Sequence, residues 1–137
     1  MNRKHLQDIA RIRLKEAKIL LDNGCYDGAY YLCGYVVECG LKACIAKKTN
    51  KYDFPDKKTV LDSYTHDFKK LVQVAGLQSN LLVEINNDPA FATNWTIVIQ
   101  WSEESRYQKW TEVEARDMYA AVANKNHGVL RWIKQFW

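Results

Sequence analysis

Residues 25–45 read CYDGAYYLCGYVVECGLKACI, and this stretch decides the fold of the chain. A helix drawn through it is apolar or small on nearly every side, yet beyond its first turn it carries one acid, Glu38, and one base, Lys42. A helix that is apolar all round lies among other helices. Because an unpaired buried carboxylate is costly, Glu38 needs a partner. The stretch therefore predicts a central helix, over residues 27–48, in an all-α bundle.

Helical patterns flank the central stretch on both sides. Apolar residues recur at three- and four-residue spacing over residues 2–22, which predicts a first helix that ends before Gly24. Asp27 is the expected cap of the second helix, and the short connection predicts an antiparallel helical hairpin. Thr111 begins a capping box, which predicts a last helix over residues 111–135.

The middle of the chain is less regular. Residues 47–58 are polar and contain a proline, so they predict a loop, and residues 65–75 predict a short helix capped by Thr65. Residues 88–89, Asp-Pro, form a helix start. Residues 94–100 include a β-branched run that fits a strand by propensity. The chain offers no partner strand, so a helix is favoured there.

Length, composition and cysteine usage narrow the possible classes of protein. The chain has 137 residues, 47% apolar and 26% charged, which predicts one globular domain over residues 1–137. The net charge of +4 permits contact with nucleic acid without arguing for it. No apolar run is long enough for a membrane span, and the N-terminus lacks an apolar signal core. Four cysteines without a CxxC spacing predict free thiols in a reducing compartment, the cytoplasm. Three scattered histidines and no phosphate-binding loop predict neither a metal nor a cofactor.

Three motifs together resemble one family. They are Gly24-x-Tyr26-x-x-Ala29-Tyr30-Tyr31-Leu32-x-Gly34-Tyr35-x-x-Glu38-x-x-Leu41-Lys42-Ala43, then Thr65-His66-Asp67-Phe68, then Trp101 followed by Ser105-Arg106-Tyr107. In this order they resemble the HEPN domain (higher eukaryotes and prokaryotes nucleotide-binding). The resemblance implies an up-and-down bundle of four or five helices, often dimeric. It also implies a relation to RNase toxins and to stand-alone partners of small nucleotidyltransferases.

The chain departs from the family's RNases at one motif. Those RNases carry an Arg, four to six residues and then a His on one late helix. In this sequence Arg116 lies eleven residues before His127, and His127 precedes Arg131. The departure predicts that the chain lacks the RNase activity of those relatives.

A small set of residues forms the candidate site. Arg106 is the expected partner of Glu38, since a guanidinium can grip a carboxylate with two hydrogen bonds. Such a pair fits a structural network, and it also fits a ligand pocket. His66 fits a capping or packing role as well as acid–base work. The ligand- or nucleotide-binding candidates are Tyr31, Tyr35, Glu38, Lys42, His66, Arg106 and Tyr107, and the alternative catalytic set is Arg106, His66 and Glu38.

Three functions are consistent with these observations. The first is a non-catalytic HEPN-type binding or regulatory module that acts with a nucleotidyltransferase partner in a toxin–antitoxin or defence system. The second is a metal-independent RNase with an atypical site, and the third is a nucleotide-binding protein, so that a nucleotide or RNA is a possible ligand. A homodimer is also expected, because the C-terminal end carries four apolar residues that one bundle would not fully bury: Trp132, Ile133, Phe136 and Trp137.

Overall fold

The computed structural model describes residues 2–50 and 56–137 of the chain, and within these ranges it contains α-helices and one 3₁₀ helix but no strand. None of these helices combines the length and apolar character that a membrane span requires. The described α-helices are α1 (Arg3–Asp22), α2 (Tyr26–Asn50), α3 (Lys57–Ser63), α4 (Phe68–Val74), α5 (Gln78–Asn87), α6 (Pro89–Val98), α7 (Glu112–Ala123) and α8 (Val129–Lys134), and the 3₁₀ helix is Glu103–Tyr107.

The central position predicted for the second helix is confirmed. α2 contacts α1, α4, α7, α8 and the 3₁₀ helix, so it is surrounded along most of its length. Val36, Val37 and Leu41 on α2 are fully buried. α1 ends at Asp22, with Asn23 as its cap. Gly24 then takes a positive φ of 76°, and this turn lets α1 and α2 pack as a helical hairpin. The all-α bundle follows from the burial of α2.

Gly34 explains how α2 admits a bulky neighbour. The indole ring of Trp101 lies directly against this glycine, and a Cβ at position 34 would overlap the ring. The indole nitrogen of Trp101 donates to the backbone oxygen of Tyr31 at 3.1 Å. Gly40 has a similar role further along, where a Cβ would lie 3.0 Å from Ile133 Cγ2. The close approach that glycine permits therefore outweighs its low helix propensity in α2.

Two predicted boundaries near α2 are wrong. α2 begins at Tyr26, so Asp27 lies in its first turn, and its carboxylate accepts from the backbone nitrogen of Trp110 at 2.6 Å. The predicted loop over residues 47–58 is helical at both ends, because α2 continues to Asn50 and α3 begins at Lys57. Residues 51–55 of that loop lie outside the described residues. Asp56 caps α3, because its side chain accepts a hydrogen bond from the backbone nitrogen of Thr59. The proline in this stretch had favoured a loop over a helix start.

The short helices in the middle of the chain differ from expectation mainly at their starts. α4 begins at Phe68, and its cap is Asp67 rather than Thr65, since the Asp67 carboxylate accepts from the backbone nitrogens of Lys69 and Lys70. In the ambiguous stretch 94–100, residues 94–98 are helical and belong to α6, and residues 99–100 form a turn. α6 starts at the predicted Asp-Pro signal.

The predicted single helix over residues 111–135 is wrong, because it is broken between α7 and α8. Its start is confirmed, with the capping box of Thr111 and Glu114 in place. After α7, the Asn124 side chain accepts from the backbone nitrogens of Asn126 and His127, which offers the chain an alternative to helical hydrogen bonds. The break turns α8 back onto α2, which it contacts.

The C-terminal apolar residues are more buried than the sequence argument for a dimer assumed. Trp132 and Ile133 are buried in the core, and Phe136 and Trp137 are half-buried against it. The expectation that one bundle would leave Trp132 and Ile133 incompletely buried is therefore wrong.

The cysteines are free in the described part of the chain. Cys33, Cys39 and Cys44 are buried, and burial raises the pKa of the Cys33 and Cys44 thiols to about 12 and that of Cys39 to about 11. A buried thiol held in its neutral form behaves as a small apolar side chain. These three residues therefore act as small apolar side chains of the core.

Replacing Gly34 by alanine should destabilise the protein by about 1–3 kcal/mol, because the Trp101 ring must leave its place against α2. Gly28→Ala is the matched control, since a Cβ there would meet only the tip of Leu20 at 3.1 Å. Its tight contact is offset by a gain in helix propensity of up to about 1 kcal/mol. Denaturant unfolding monitored by tryptophan fluorescence measures both variants, and equal stabilities would contradict the role given to Gly34.

Candidate functional site

One face of α2 carries four of the candidate residues. Tyr31, Tyr35, Glu38 and Lys42 follow one another at spacings of four, three and four, so their side chains lie in a row on the helix. Glu38 is buried, and the other three are half-buried. The row faces the loop before α4 and the 3₁₀ helix, both of which lie against α2.

The carboxylate of Glu38 has partners on both oxygens. Oε1 contacts Nδ1 of His66, and Oε2 lies 3.4 Å from Nζ of Lys42. The predicted ion pair between Glu38 and Arg106 is therefore wrong: both oxygens are engaged by other donors, and Arg106 is exposed. The physical reason is the position of the α4 cap. Because Asp67 caps α4, His66 stays in the loop before the helix, where its ring contacts the Glu38 carboxylate.

His66 joins two acids that are far apart in sequence. Its Nδ1 faces Glu38, and its Nε2 lies 2.9 Å from Oε2 of Glu103, at the start of the 3₁₀ helix. The contact of Nδ1 with Glu38 has hydrogen-bond geometry, whereas Nε2 and the Glu103 carboxylate lie within ion-pair distance of each other. The buried Glu38 fixes the orientation of the ring, whereas Glu103 approaches from the solvent side, with its side chain 45% exposed.

An aromatic cluster supports this polar chain. The ring of Trp101 stacks on Phe68 with centroids 5.2 Å apart and meets the edge of Tyr35 at 5.3 Å. The hydroxyls of Tyr31 and Tyr35 share a hydrogen bond of 2.8 Å. Burial, together with the hydrogen bond to Tyr31, raises the pKa of Tyr35 well above its usual range, so its hydroxyl stays neutral.

Arg106 and Tyr107 form the exposed rim of the site. The guanidinium of Arg106 lies over the ring of Tyr107 at 4.8 Å, and hydrogen bonding to the Tyr31 side chain raises the pKa of Arg106. Tyr107 is 72% exposed. The fold thus brings Tyr31, Tyr35, Glu38, Lys42 and His66 together, places Arg106 at their edge and leaves Tyr107 in solvent.

A cleft of about 430 Å³ opens beside His66. Its volume falls within the range of small-molecule sites. It is lined by residues from the loop before α4, the first turn of α4, the segment after α6 and the start of the 3₁₀ helix, namely Thr65, His66, Asp67, Phe68, Lys69, Ile99, Trp101, Ser102 and Glu103. Among the described residues, no group of three histidine, cysteine or acidic side chains is placed to hold a metal ion.

Glu103 is the residue that sequence reasoning missed. It lies in a connector without apolar periodicity, and no spacing relates it to His66. One signal was available: Glu103 precedes Arg106 by three residues, and side chains at that spacing are aligned in a 3₁₀ helix.

The family model of the HEPN domain matches residues 4–135, nearly the whole chain. The chain belongs to the HEPN domain family. No curated protein and no solved structure matches it.

The arginines and the histidine that come nearest to the RNase motif of HEPN proteins each have an acidic partner. Arg116 on α7 pairs with Glu112 at 2.8 Å, and His127, beyond the end of α7, pairs with Asp88 at 2.7 Å. This contact with His127 lowers the pKa of Asp88. Arg131 on α8 pairs with Glu84 at 2.7 Å. Arg116, His127 and Arg131 therefore lie on different segments, and each has its own acidic partner.

Glu38→Ala should destabilise the protein by about 1–3 kcal/mol, because it leaves His66 and Lys42 without their shared acceptor. A double-mutant cycle between Glu38→Ala and His66→Ala should give a coupling of about 1 kcal/mol. The matched cycle pairs Glu38→Ala with Arg106→Ala, and its coupling should be close to zero. Chemical denaturation measures both cycles, and a larger coupling to Arg106 would restore the ion pair expected from the sequence.

Proposed function

We propose that this HEPN protein is a binding module without RNase activity of its own, and that its ligand is a nucleotide or RNA held beside His66. The observation that carries the proposal is the engagement of its candidate acid–base groups. His66 has a carboxylate at each ring nitrogen, and Arg116 and His127 have separate acidic partners. A metal-independent RNase needs a base for the ribose hydroxyl and a cation for the phosphorane, both within reach of one phosphate.

The exposed rim supports binding of a nucleotide. Arg106 and Tyr107 offer a cation and an aromatic face to solvent, side by side on the 3₁₀ helix. Aromatic and guanidinium planes stack on nucleobases, and cationic side chains bind phosphates. Lys69 adds a further cation to the lining of the cleft.

The partner and cellular setting of this protein belong to the same proposal. We infer that it acts with a nucleotidyltransferase in a toxin–antitoxin or defence system, on the basis of its family resemblance. The free thiols support a reducing compartment, which we take to be the cytoplasm. A homodimer stays part of the proposal, supported by Ile12 and Ile19, which lie seven residues apart on α1 and are each about half exposed.

A second function is favoured by one observation. The buried Glu38 holds Nδ1 of His66, so Nε2 points towards the cleft, which is how a carboxylate orients a general base. With Arg106 as the cation, His66 and Glu38 fit an atypical RNase.

The purified protein should leave single-stranded RNA intact, both with and without a chelator of divalent metals. Co-purification from the native host should recover a nucleotidyltransferase. Light scattering of the purified protein should give the mass of a dimer. RNA cleavage that persists in the chelator and disappears in His66→Ala or Arg106→Ala would favour the RNase. Arg116→Ala is the control, because it removes a paired cation away from the cleft.

The same preparation tests ligand binding by calorimetry with adenosine monophosphate and a short RNA. Tyr107→Ala should weaken binding about tenfold through the loss of a stacked base. Tyr64→Ala, at a residue that is 79% exposed outside the cleft, should leave the affinity unchanged. Equal effects of the two variants would contradict a site at the 3₁₀ helix.

A further inference from the structure

We propose that the Glu103 carboxylate occupies the position of the ligand's terminal phosphate and that a phosphate monoester displaces it from His66. The inference rests on the proposed function and names the group by which the cleft recognises its ligand.

The two acids that face His66 are held very differently. Glu38 projects from the core helix α2, and its side chain is 7% exposed, so it forms a fixed part of the site. Glu103 lies at the start of a five-residue 3₁₀ helix, and its side chain is 45% exposed. An exposed ion pair contributes little to stability, so a competing anion displaces Glu103 at small cost.

The position vacated by Glu103 suits an anion. Nε2 of His66 lies 2.9 Å from Oε2 of Glu103 and has its direction fixed by the contact of Nδ1 with Glu38. Lys69 lines the same cleft and is exposed. The one other acid in the lining, Asp67, turns its carboxylate to the backbone nitrogens at the start of α4. The ring of His66 therefore directs one nitrogen at the place that Glu103 now occupies, and Lys69 adds a cation to the same cleft.

A terminal phosphate fits this position better than a phosphodiester does. A monoester carries a charge close to −2 near neutral pH and three terminal acceptor oxygens. It therefore competes with a single carboxylate more strongly than a diester with one charge. The remainder of the ligand is directed to Arg106, which leaves the 3₁₀ helix on the same side as Glu103, three residues further on.

The experiment measures the dissociation constants of three probes by calorimetry: adenosine 5′-monophosphate, adenosine, and the diester-linked dinucleotide of adenosine with free hydroxyl ends. Glu103→Gln should bind the monophosphate about fivefold more tightly than the unaltered protein does, since it removes the competing charge. The same variant should bind adenosine and the dinucleotide with unchanged affinity.

Glu104→Gln is the matched control, because it removes the same charge from the next residue of the 3₁₀ helix, which is also exposed. It should change the affinity for the monophosphate less than about twofold, since the charge it removes has no contact with His66. Thermal unfolding of both variants checks that neither alters the fold.

The possible failures are distinguishable. If the unaltered protein binds the monophosphate and the two variants bind it equally, the role of Glu103 is overturned while the proposed function stands. If Glu103→Gln tightens the dinucleotide as much as the monophosphate, recognition of a terminal phosphate is overturned. If none of the three proteins binds any probe or RNA, the ligand-binding part of the proposed function fails, and this inference fails with it.

Discussion

Glu38 places a carboxylate inside the helical core, and the neighbouring segments are arranged to satisfy it. An acid at this depth is tolerated only with donors on its oxygens. Lys42 supplies one from the next turn of α2, and His66 supplies the other from the loop before α4. That second contact holds the loop against α2. It therefore places His66 in the lining of the cleft, one residue before the cap of α4.

The aromatic cluster gives the same region its rigidity. Trp101 lies in the groove that Gly34 leaves on α2, stacks on Phe68 and hydrogen-bonds to the backbone at Tyr31. The cleft therefore has a fixed floor of rings and a fixed histidine, while its rim carries exposed charges. A packed base with an exposed, charged rim is consistent with the proposed recognition of a small anionic ligand, because few groups would have to be ordered on binding.

Much of the site could be predicted because it lies on one helix. Tyr31, Tyr35, Glu38 and Lys42 share a face by their spacing alone, and the helix that carries them was the clearest pattern in the chain. The second partner of Glu38, His66, could not be predicted in the same way, whereas Lys42 lies within reach by its four-residue spacing. Several cations elsewhere in the sequence match a carboxylate equally well, and only the path of the loop before α4 selects among them.

The sequence by itself determined the all-α class, the central place of α2 and the starts of α6 and α7, because these depend on periodicity and capping within a few residues. Only the tertiary structure decided the break at residues 124–128, the ion pair of His127 with Asp88 and the approach of Glu103 to His66. Each of these joins segments far apart in the chain or replaces a local helical hydrogen bond with a competing one. Such contacts depend on which groups the packed helices bring close together, and a local sequence pattern does not contain that information.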